Sequence, residues 1–181
     1  MWIAAVCAGT LSATALPAVA LVHHVVNPSW RVHLQLTSTE LYPAAANAHE
    51  DIRQAILRAS AEHKIVLLVF GGDWCVDCHL LDLYFHDPGN ASLLAANYVL
   101  VDVNIGEYDR NLDLAHKFGI PLSNGVPALV VLDGAGRVLY AQRNAEFENM
   151  RVQDASAVTA FLQKWKPKAT HKPTTAHHSS K

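Results

Sequence analysis

Two cysteines, Cys75 and Cys78, are the residues of this chain best suited to chemistry, and they lie in the stretch FGGDWCVDCH, residues 70–79. An apolar run from Ile65 to Phe70 precedes them and a helical pattern follows, which places the pair where a strand turns into a helix. Unpaired backbone N–H groups and the positive end of the helix dipole stabilise a thiolate at a helix start. Cys75 would occupy that position, and Cys78, about one turn further on, could close a disulfide with it. The pair is therefore predicted to be catalytic and redox-active.

The composition favours one folded domain with tails, because the chain has 181 residues, of which 51% are apolar. A formal net charge of −2 indicates no polyanionic partner, so no nucleic-acid binding is expected. The acidic residues form no pair that the sequence places together for hydrolysis. No glycine-rich loop precedes a Lys-Ser or Lys-Thr pair that would bind phosphate.

The first 22 residues carry no charged side chain and contain Ala18-Val19-Ala20 after Pro17. Small residues at the two alanine positions predict a signal peptide over residues 1–20 and a periplasmic or secreted protein. No Lys or Arg precedes the apolar stretch, so a wrongly chosen start, an atypical signal and an uncleaved membrane anchor over residues 1–22 stay open. Cleavage would remove Cys7 and leave two cysteines, the number needed for one exchangeable disulfide.

Residues 21–46 show no clear period and are predicted to be an extended lead-in, with a short strand at Val32–Leu36. The folded domain is predicted over residues 47–166, starting where Asn47 and Glu50 resemble a capping box. Beyond Pro167 there is no large apolar residue, so residues 167–181 are predicted to be a disordered tail.

Within the domain the residue pattern predicts alternating helices and strands. These are a helix over 48–62, a strand over 65–70, a helix from Cys75 to about His86 that stops at residues 87–90, a short helix near 92–96, a strand over 98–104, a helix over 111–118, a hairpin of 128–132 and 137–142, and a last helix capped by Asp154. The inward residues of the 111–118 helix are predicted to be Leu112, Ala115 and Phe118. Strand, helix and strand in this order predict a right-handed parallel unit.

This order, with Trp-Cys-x-x-Cys at one helix start and Gly125-Val126-Pro127 before the hairpin, resembles the thioredoxin superfamily. The likeness covers about residues 47–166 and is greatest to small exported thioredoxin-like proteins. It implies an α/β fold with a central mixed β-sheet flanked by helices. It also implies a cis bond at Pro127, packed beside the cysteines, because a fold keeps this minority isomer where it needs a tight turn.

The resemblance further implies a thiol–disulfide oxidoreductase that acts on protein thiols and disulfides. Cys75 would attack a substrate disulfide, and Cys78 would resolve the mixed disulfide. Trp74 would shield the pair, and the backbone of Val126 would hold the substrate chain as an added strand beside Pro127. No cofactor and no metal are expected, and the protein is predicted to be a monomer. An electron donor, which could be membrane-bound, would recharge the cysteines.

The chain departs from thioredoxin at the position six residues before Cys75, where thioredoxin keeps a buried acid and this chain has Val69. Asp102, on the neighbouring predicted strand, is a candidate replacement, and the alternative is an acid that faces the surface or the sheet edge. Asp77 between the cysteines would oppose a thiolate and make the pair more reducing. His79, on the same helical face as Cys75, would favour the thiolate. The balance of the two effects stays open, and a reductant is preferred over an oxidant.

Three alternatives remain at this point. Cys75 to His79 also fits the attachment signature of c-type haem, although Met150 is the only methionine after Met1 that could serve as a distal ligand. Metal delivery would use the two cysteines and some of eleven histidines, which are scattered along the chain. The third alternative is a non-catalytic binding module that keeps the fold.

Overall fold

The structure, a computed structural model, describes residues 40–168. The predicted signal or anchor, the predicted strand at 32–36 and residues 169–181 of the predicted tail lie outside this range. Along the described part of the chain, no helix combines the length and apolar character needed to cross a membrane.

Within residues 40–168 the chain forms five α-helices and four strands. In chain order they are α1 (Ala48–Glu62), β1 (Ile65–Gly71), α2 (Val76–Phe85), α3 (Pro88–Asn97), β2 (Tyr98–Asn104), α4 (Leu112–Phe118), β3 (Ala128–Leu132), β4 (Val138–Ala141) and α5 (Ala155–Trp165). Short 3-10 turns at Leu122–Asn124 and Met150–Val152 lie between them. The predicted order and type of the α-helices and strands are confirmed.

The four strands form one sheet in the order β2-β1-β3-β4. β1 is parallel to β2, while β3 is antiparallel to both β1 and β4. Every residue of β1 and β3 is buried, which explains their unbroken apolar sequences. Helices α1 and α4 cover one face, and α2, α3 and α5 cover the other. The predicted α/β fold, a central mixed sheet between helical layers, is confirmed.

The predicted start of α1 is confirmed, because Asn47 Oδ1 accepts a hydrogen bond from the Glu50 backbone N–H at 3.2 Å. The Glu50 carboxylate does not complete the capping box. It accepts hydrogen bonds from Arg53 and Gln54 instead. The helix therefore has a single cap bond and a surface cluster of polar side chains on its first two turns.

The predicted short helix near 92–96 is longer than expected and begins at Pro88. Asp87 Oδ1 caps it by accepting a hydrogen bond from the Gly89 N–H at 3.2 Å. The same Asp-Pro pair that ends α2 thus starts α3, because proline at the first helical position needs no N–H partner.

Two further details of the prediction were wrong. Leu112 does not face inward: its exposed fraction is 43%, and Leu114 is buried in its place beside Ala115 and Phe118. Asn111 adopts a left-handed backbone conformation just before the helix, so α4 begins at Leu112 and its buried stripe starts two residues later. β4 is shorter than predicted, although the Gln142 N–H still pairs with the Leu129 carbonyl oxygen at 2.9 Å.

Candidate active site

The two cysteines lie at the carboxyl end of β1, where the chain turns into α2. Cys75 is the N-cap residue of α2, and its Sγ accepts a hydrogen bond from the Cys78 backbone N–H at 3.1 Å. The two Sγ atoms are joined as a disulfide, with the Cα atoms 5.2 Å apart. Cys75 is 5% exposed and Cys78 1%. The more exposed sulfur therefore lies at the start of the helix and accepts a hydrogen bond from a backbone N–H of its first turn, which is an environment that favours a thiolate.

A backbone turn from another part of the chain covers the pair. The Val126–Pro127 peptide bond is cis, and the Val126 carbonyl oxygen lies 3.6 Å from Cys75 Sγ. The buried side chain of Gln142 holds this turn in place. Its Nε2 donates to the Pro127 carbonyl oxygen at 3.1 Å, and its Oε1 accepts from the Leu129 N–H at 3.2 Å. The sequence did not single out Gln142, which looked like the last residue of a strand.

Trp74 lies at the rim of the site and is 43% exposed. Its indole N–H donates to the Gly106 carbonyl oxygen at 2.7 Å, and its ring packs against Tyr108 with 5.5 Å between centroids. A side chain on Gly72 would come within 2.6 Å of the indole nitrogen, so the ring lies directly over that glycine. Trp74 is therefore a surface aromatic fixed beside Cys75. A groove of about 310 Å³, also lined by Asp73, opens next to it.

Asp77 does not stand alone between the cysteines, because an arginine from the Met150–Val152 turn binds it. Arg151 Nη2 lies 3.2 Å from Asp77 Oδ2, and the Arg151 backbone N–H and Nε both donate to Asp77 Oδ1 at 3.3 Å. Asp77 is buried. Arg151 therefore partly neutralises the Asp77 carboxylate. This weakens the destabilisation of a Cys75 thiolate that the sequence predicted for a free carboxylate.

We expect Arg151→Ala to reduce the fraction of Cys75 that is thiolate, because Asp77 would then act on it without compensation. Alkylation of the reduced protein by iodoacetamide at pH 7 should slow about two- to fivefold, the range typical of a partly exposed ion pair. Arg137→Ala is the matched control, since it removes the Arg137–Asp133 pair in the β3–β4 turn. Faster alkylation of Arg151→Ala, or an equal effect in both variants, would contradict the assignment.

His79 is exposed on the first turns of α2, and its Nε2–H donates to the Asp73 carbonyl oxygen at 2.8 Å. This hydrogen bond ties the helix to the turn that carries Trp74 and Cys75. A role of His79 in tuning Cys75 stays a prediction.

Asp102 lies on β2 directly opposite Val69 of β1, at the level where thioredoxin would carry its acid. Burial, helped by the Asp82 carboxylate and opposed by the His86 side chain, raises the pKa of Asp102 from 3.8 to about 7. Burial also raises the pKa of Asp82, which lies on α2. Asp82 was missed in the sequence, although its position four residues after Cys78 puts it on the same helical face. Two acids of raised pKa, Asp102 on β2 and Asp82 on the helix that carries the cysteines, therefore lie near each other.

The lead-in also contributes to the site through Tyr42, which is 1% exposed. Its backbone N–H donates to Asp73 Oδ1 at 3.1 Å, and its carbonyl oxygen accepts from Asn104 Nδ2 at 2.6 Å. No periodic pattern in residues 21–46 indicated this contact, so Tyr42 was not predicted to belong to the site.

Comparison with known proteins agrees with the fold and the cysteine pair. A family model described as thioredoxin-like matches residues 47–134. No curated protein sequence matches the chain significantly. A solved structure of a disulphide isomerase from Xylella fastidiosa Temecula1 is 34% identical, with a TM-score of 0.66, and the match covers 69% of this chain and 95% of that one.

Two other solved structures are more distant. A thioredoxin from Thermus thermophilus is 22% identical over 76% of this chain and 95% of its own, with a TM-score of 0.49. The reduced C-terminal domain of DsbD from Neisseria meningitidis is 17% identical over 64% of this chain and 95% of its own, with a TM-score of 0.47. The likeness to the Xylella protein, over nearly all of that chain, is the one that decides the family. The chain belongs to the thioredoxin-like family, with Cys75 and Cys78 at its Cys-x-x-Cys site.

Proposed function

We propose that this protein is an exported thiol–disulfide oxidoreductase that reduces disulfides in protein substrates. The observation that carries the proposal is the position of Cys75 Sγ at the N-cap of α2, bonded to Cys78 and lying beside the Val126 carbonyl oxygen. A sulfur in this position is a good nucleophile as thiolate and a good leaving group in the disulfide.

The reaction proceeds in two exchange steps. The Cys75 thiolate attacks one sulfur of the substrate disulfide, forms a mixed disulfide with it, and releases the other substrate sulfur as a thiolate. Cys78 then loses its proton and attacks Cys75 Sγ. The Cys75–Cys78 bond forms, the bond between Cys75 and the substrate breaks, and the second substrate sulfur leaves. The substrate disulfide gains two electrons, which the cysteine pair supplies.

Three residues around the pair are proposed to receive the substrate chain. The Val126 backbone lies next to Cys75 Sγ and would pair with an extended substrate segment, and the Pro127 turn keeps that backbone at the sulfur. Trp74 would cover the opposite side, because its exposed ring is fixed next to Cys75.

Asp102 is proposed to accept the Cys78 proton in the second step. A carboxylate whose pKa is about 7 can both take and return a proton near neutral pH. A base for Cys78 would speed release of the reduced substrate, as the reductant direction requires, and would speed the reverse step equally. Asp77 makes the cysteine pair less reducing than a free carboxylate would, because Arg151 partly neutralises its charge.

Export is proposed from the uncharged, apolar residues 1–22, either as a cleaved signal or as an anchor. In either case the cysteine pair would work outside the reducing cytosol. An exported reductant needs a donor that returns two electrons to Cys75 and Cys78, and we propose a partner dithiol protein, membrane-bound or soluble. The protein is proposed to act as a monomer.

The site supports the alternatives less well. Both sulfurs are buried against the Val126 turn and Gly71, so a haem bonded to them would have to displace these segments. In the part of the chain that the structure describes, no group of three or more Cys, His, Asp or Glu side chains is arranged to hold a metal ion. A binding module that keeps the fold is distinguished by its lack of disulfide exchange.

Equilibration with glutathione buffers tests the proposal and its direction. We expect the Cys75/Cys78 couple to exchange and to have a reduction potential near that of thioredoxin, about −270 mV. A potential near about −120 mV would instead assign an oxidant. Failure of the couple to equilibrate with glutathione would remove the oxidoreductase assignment.

A further inference from the structure

Tyr42 places a hydroxyl group directly behind the cysteine pair. A Cβ on Gly71 would lie 2.5 Å from the Tyr42 hydroxyl oxygen and 2.7 Å from Cys78 Sγ. The Tyr42 hydroxyl oxygen and Cys78 Sγ therefore border the same small space in front of Gly71. The distance between them is at most the sum of these two distances. Any larger residue at position 71 would separate the hydroxyl from the sulfur. The glycine thus leaves room for Tyr42 and Cys78 to meet.

This hydroxyl is unusual among the buried polar groups. Within residues 40–168, one buried side-chain nitrogen or oxygen atom has no hydrogen-bond partner, and that atom is the Tyr42 hydroxyl oxygen. A buried hydroxyl without a partner destabilises a fold, because it has given up its hydrogen bonds to water and gained none. By contrast, the buried hydroxyl of Tyr98 donates to the Leu162 carbonyl oxygen at 2.6 Å. The fold therefore keeps an unpaired donor at the one place where it borders Cys78.

We propose that Tyr42 is a hydrogen-bond donor to the Cys78 sulfur when the disulfide is open, and that it stabilises the reduced and mixed-disulfide states. In the closed form, Cys78 Sγ is held in the bond to Cys75. Opening the S–S bond frees the two sulfurs to separate and turns Cys78 into a thiol or thiolate, a better acceptor than a disulfide sulfur. The role of Tyr42 in catalysis rests on the proposed function, whereas its effect on the stability of the two redox forms does not.

Tyr42 is suited to donate rather than to accept. Burial raises its pKa well above the ordinary value, and the carboxylates of Asp102, Asp82 and Asp73 raise it further. The phenol therefore stays protonated at neutral pH. It stabilises negative charge on Cys78 at the moment when this residue must attack Cys75 Sγ. Tyr42 would thus act with Asp102, the donor holding the sulfur and the carboxylate taking the proton.

The consequence is a stability effect that depends on the redox state. In the oxidised protein, Tyr42→Phe removes an unpaired hydroxyl and should leave stability unchanged or raise it. In the reduced protein the same change removes a hydrogen bond to sulfur and should lower stability. For half reduction, the variant should then need a ratio of squared glutathione to glutathione disulfide that is about tenfold higher. This corresponds to a reduction potential of the Cys75/Cys78 couple that is about 30 mV more negative.

Urea unfolding of the full chain, oxidised and reduced, combined with glutathione equilibration, tests this proposal. Tyr98→Phe is the matched control, because it removes a buried tyrosine hydroxyl at the opposite end of β2 and should destabilise both redox forms equally. Equal destabilisation of both forms by Tyr42→Phe, or an unchanged glutathione equilibrium, would overturn the role of Tyr42. The same titration shows whether the wild-type couple exchanges with glutathione and at what potential. A failure of the proposed function would therefore be visible in the wild type, independently of the comparison with Tyr42→Phe.

Discussion

We expect Cys75→Ser to abolish disulfide reduction and Cys78→Ser to trap the substrate on the enzyme. Cys75 is the N-cap of α2 and the more exposed sulfur of the pair, so it makes the first attack. Without it no mixed disulfide forms, and the rate of insulin reduction should fall to below about 1% of wild type. Without Cys78 the first attack still occurs, but release does not, and a covalent Cys75–substrate adduct should accumulate.

The measurement compares the two variants under identical conditions. Cys7 is replaced by serine in every sample, so that each trapped or free thiol belongs to the active-site pair. Insulin reduction gives the rate, and non-reducing electrophoresis with mass analysis detects the adduct. Each serine variant serves as the control for the other, because both lose the disulfide. Adduct formation by Cys75→Ser but not by Cys78→Ser would reverse the assigned roles.

Much of the fold was predictable because its central strands are buried on both faces. β1, β2 and β3 appear in the sequence as unbroken or alternating apolar runs, and each predicted boundary is within one residue of the observed one. Helix α3 was predicted too short, because Asp87-Pro88 signals both the end of one helix and the start of the next. Leu112 was misplaced because a seven-residue helix gives too few turns to define its buried face.

The site was predictable where its residues are close in sequence and not where they meet across the fold. The cysteine pair, Trp74 and the Val126–Pro127 turn follow from short motifs. Arg151 binds Asp77 from 74 residues away, and Tyr42 reaches Asp73 from 31 residues away. Neither contact has a periodic or motif signal, because each is created by how elements pack. The sequence therefore defined the nucleophile but not the groups that surround it.

The largest stability effect is expected for Asp102→Asn at neutral and alkaline pH. The unfolded carboxyl ionises near its ordinary pKa, whereas in the fold burial and the Asp82 carboxylate raise the pKa of Asp102 to about 7. Below about pH 3 the Asp102 carboxyl is protonated in both the folded and the unfolded state and does not change the free energy of unfolding. As the pH rises from 4 to 7, only the unfolded state loses its proton, so the stability of the wild type falls. At about 1.4 kcal/mol per pKa unit, the fall reaches up to about 4 kcal/mol.

Asp102→Asn should remove this fall, because an amide has no proton to lose. Urea unfolding of the oxidised proteins at pH 4, 6 and 8 should show little difference at pH 4 and a more stable variant at pH 8. Asp51→Asn is the control, since Asp51 is exposed in the first turn of α1 and its loss should lower stability by less than about 1 kcal/mol. A constant difference between Asp102→Asn and wild type across the pH range would show that Asp102 ionises normally.

The same variant separates stability from catalysis. If Asp102 accepts the Cys78 proton, Asp102→Asn should be more stable at pH 8 and yet reduce insulin at least about a hundredfold more slowly, because a general base typically contributes about 10²–10⁴-fold. The slowed step should be release of the mixed disulfide, and the wild-type inflection near pH 7 should vanish from its pH profile. A variant that gains stability but keeps the wild-type release rate and pH profile would show that Asp102 is a buried acid without a part in proton transfer. Greater stability together with slower release is the combination that a purely structural role for Asp102 does not produce.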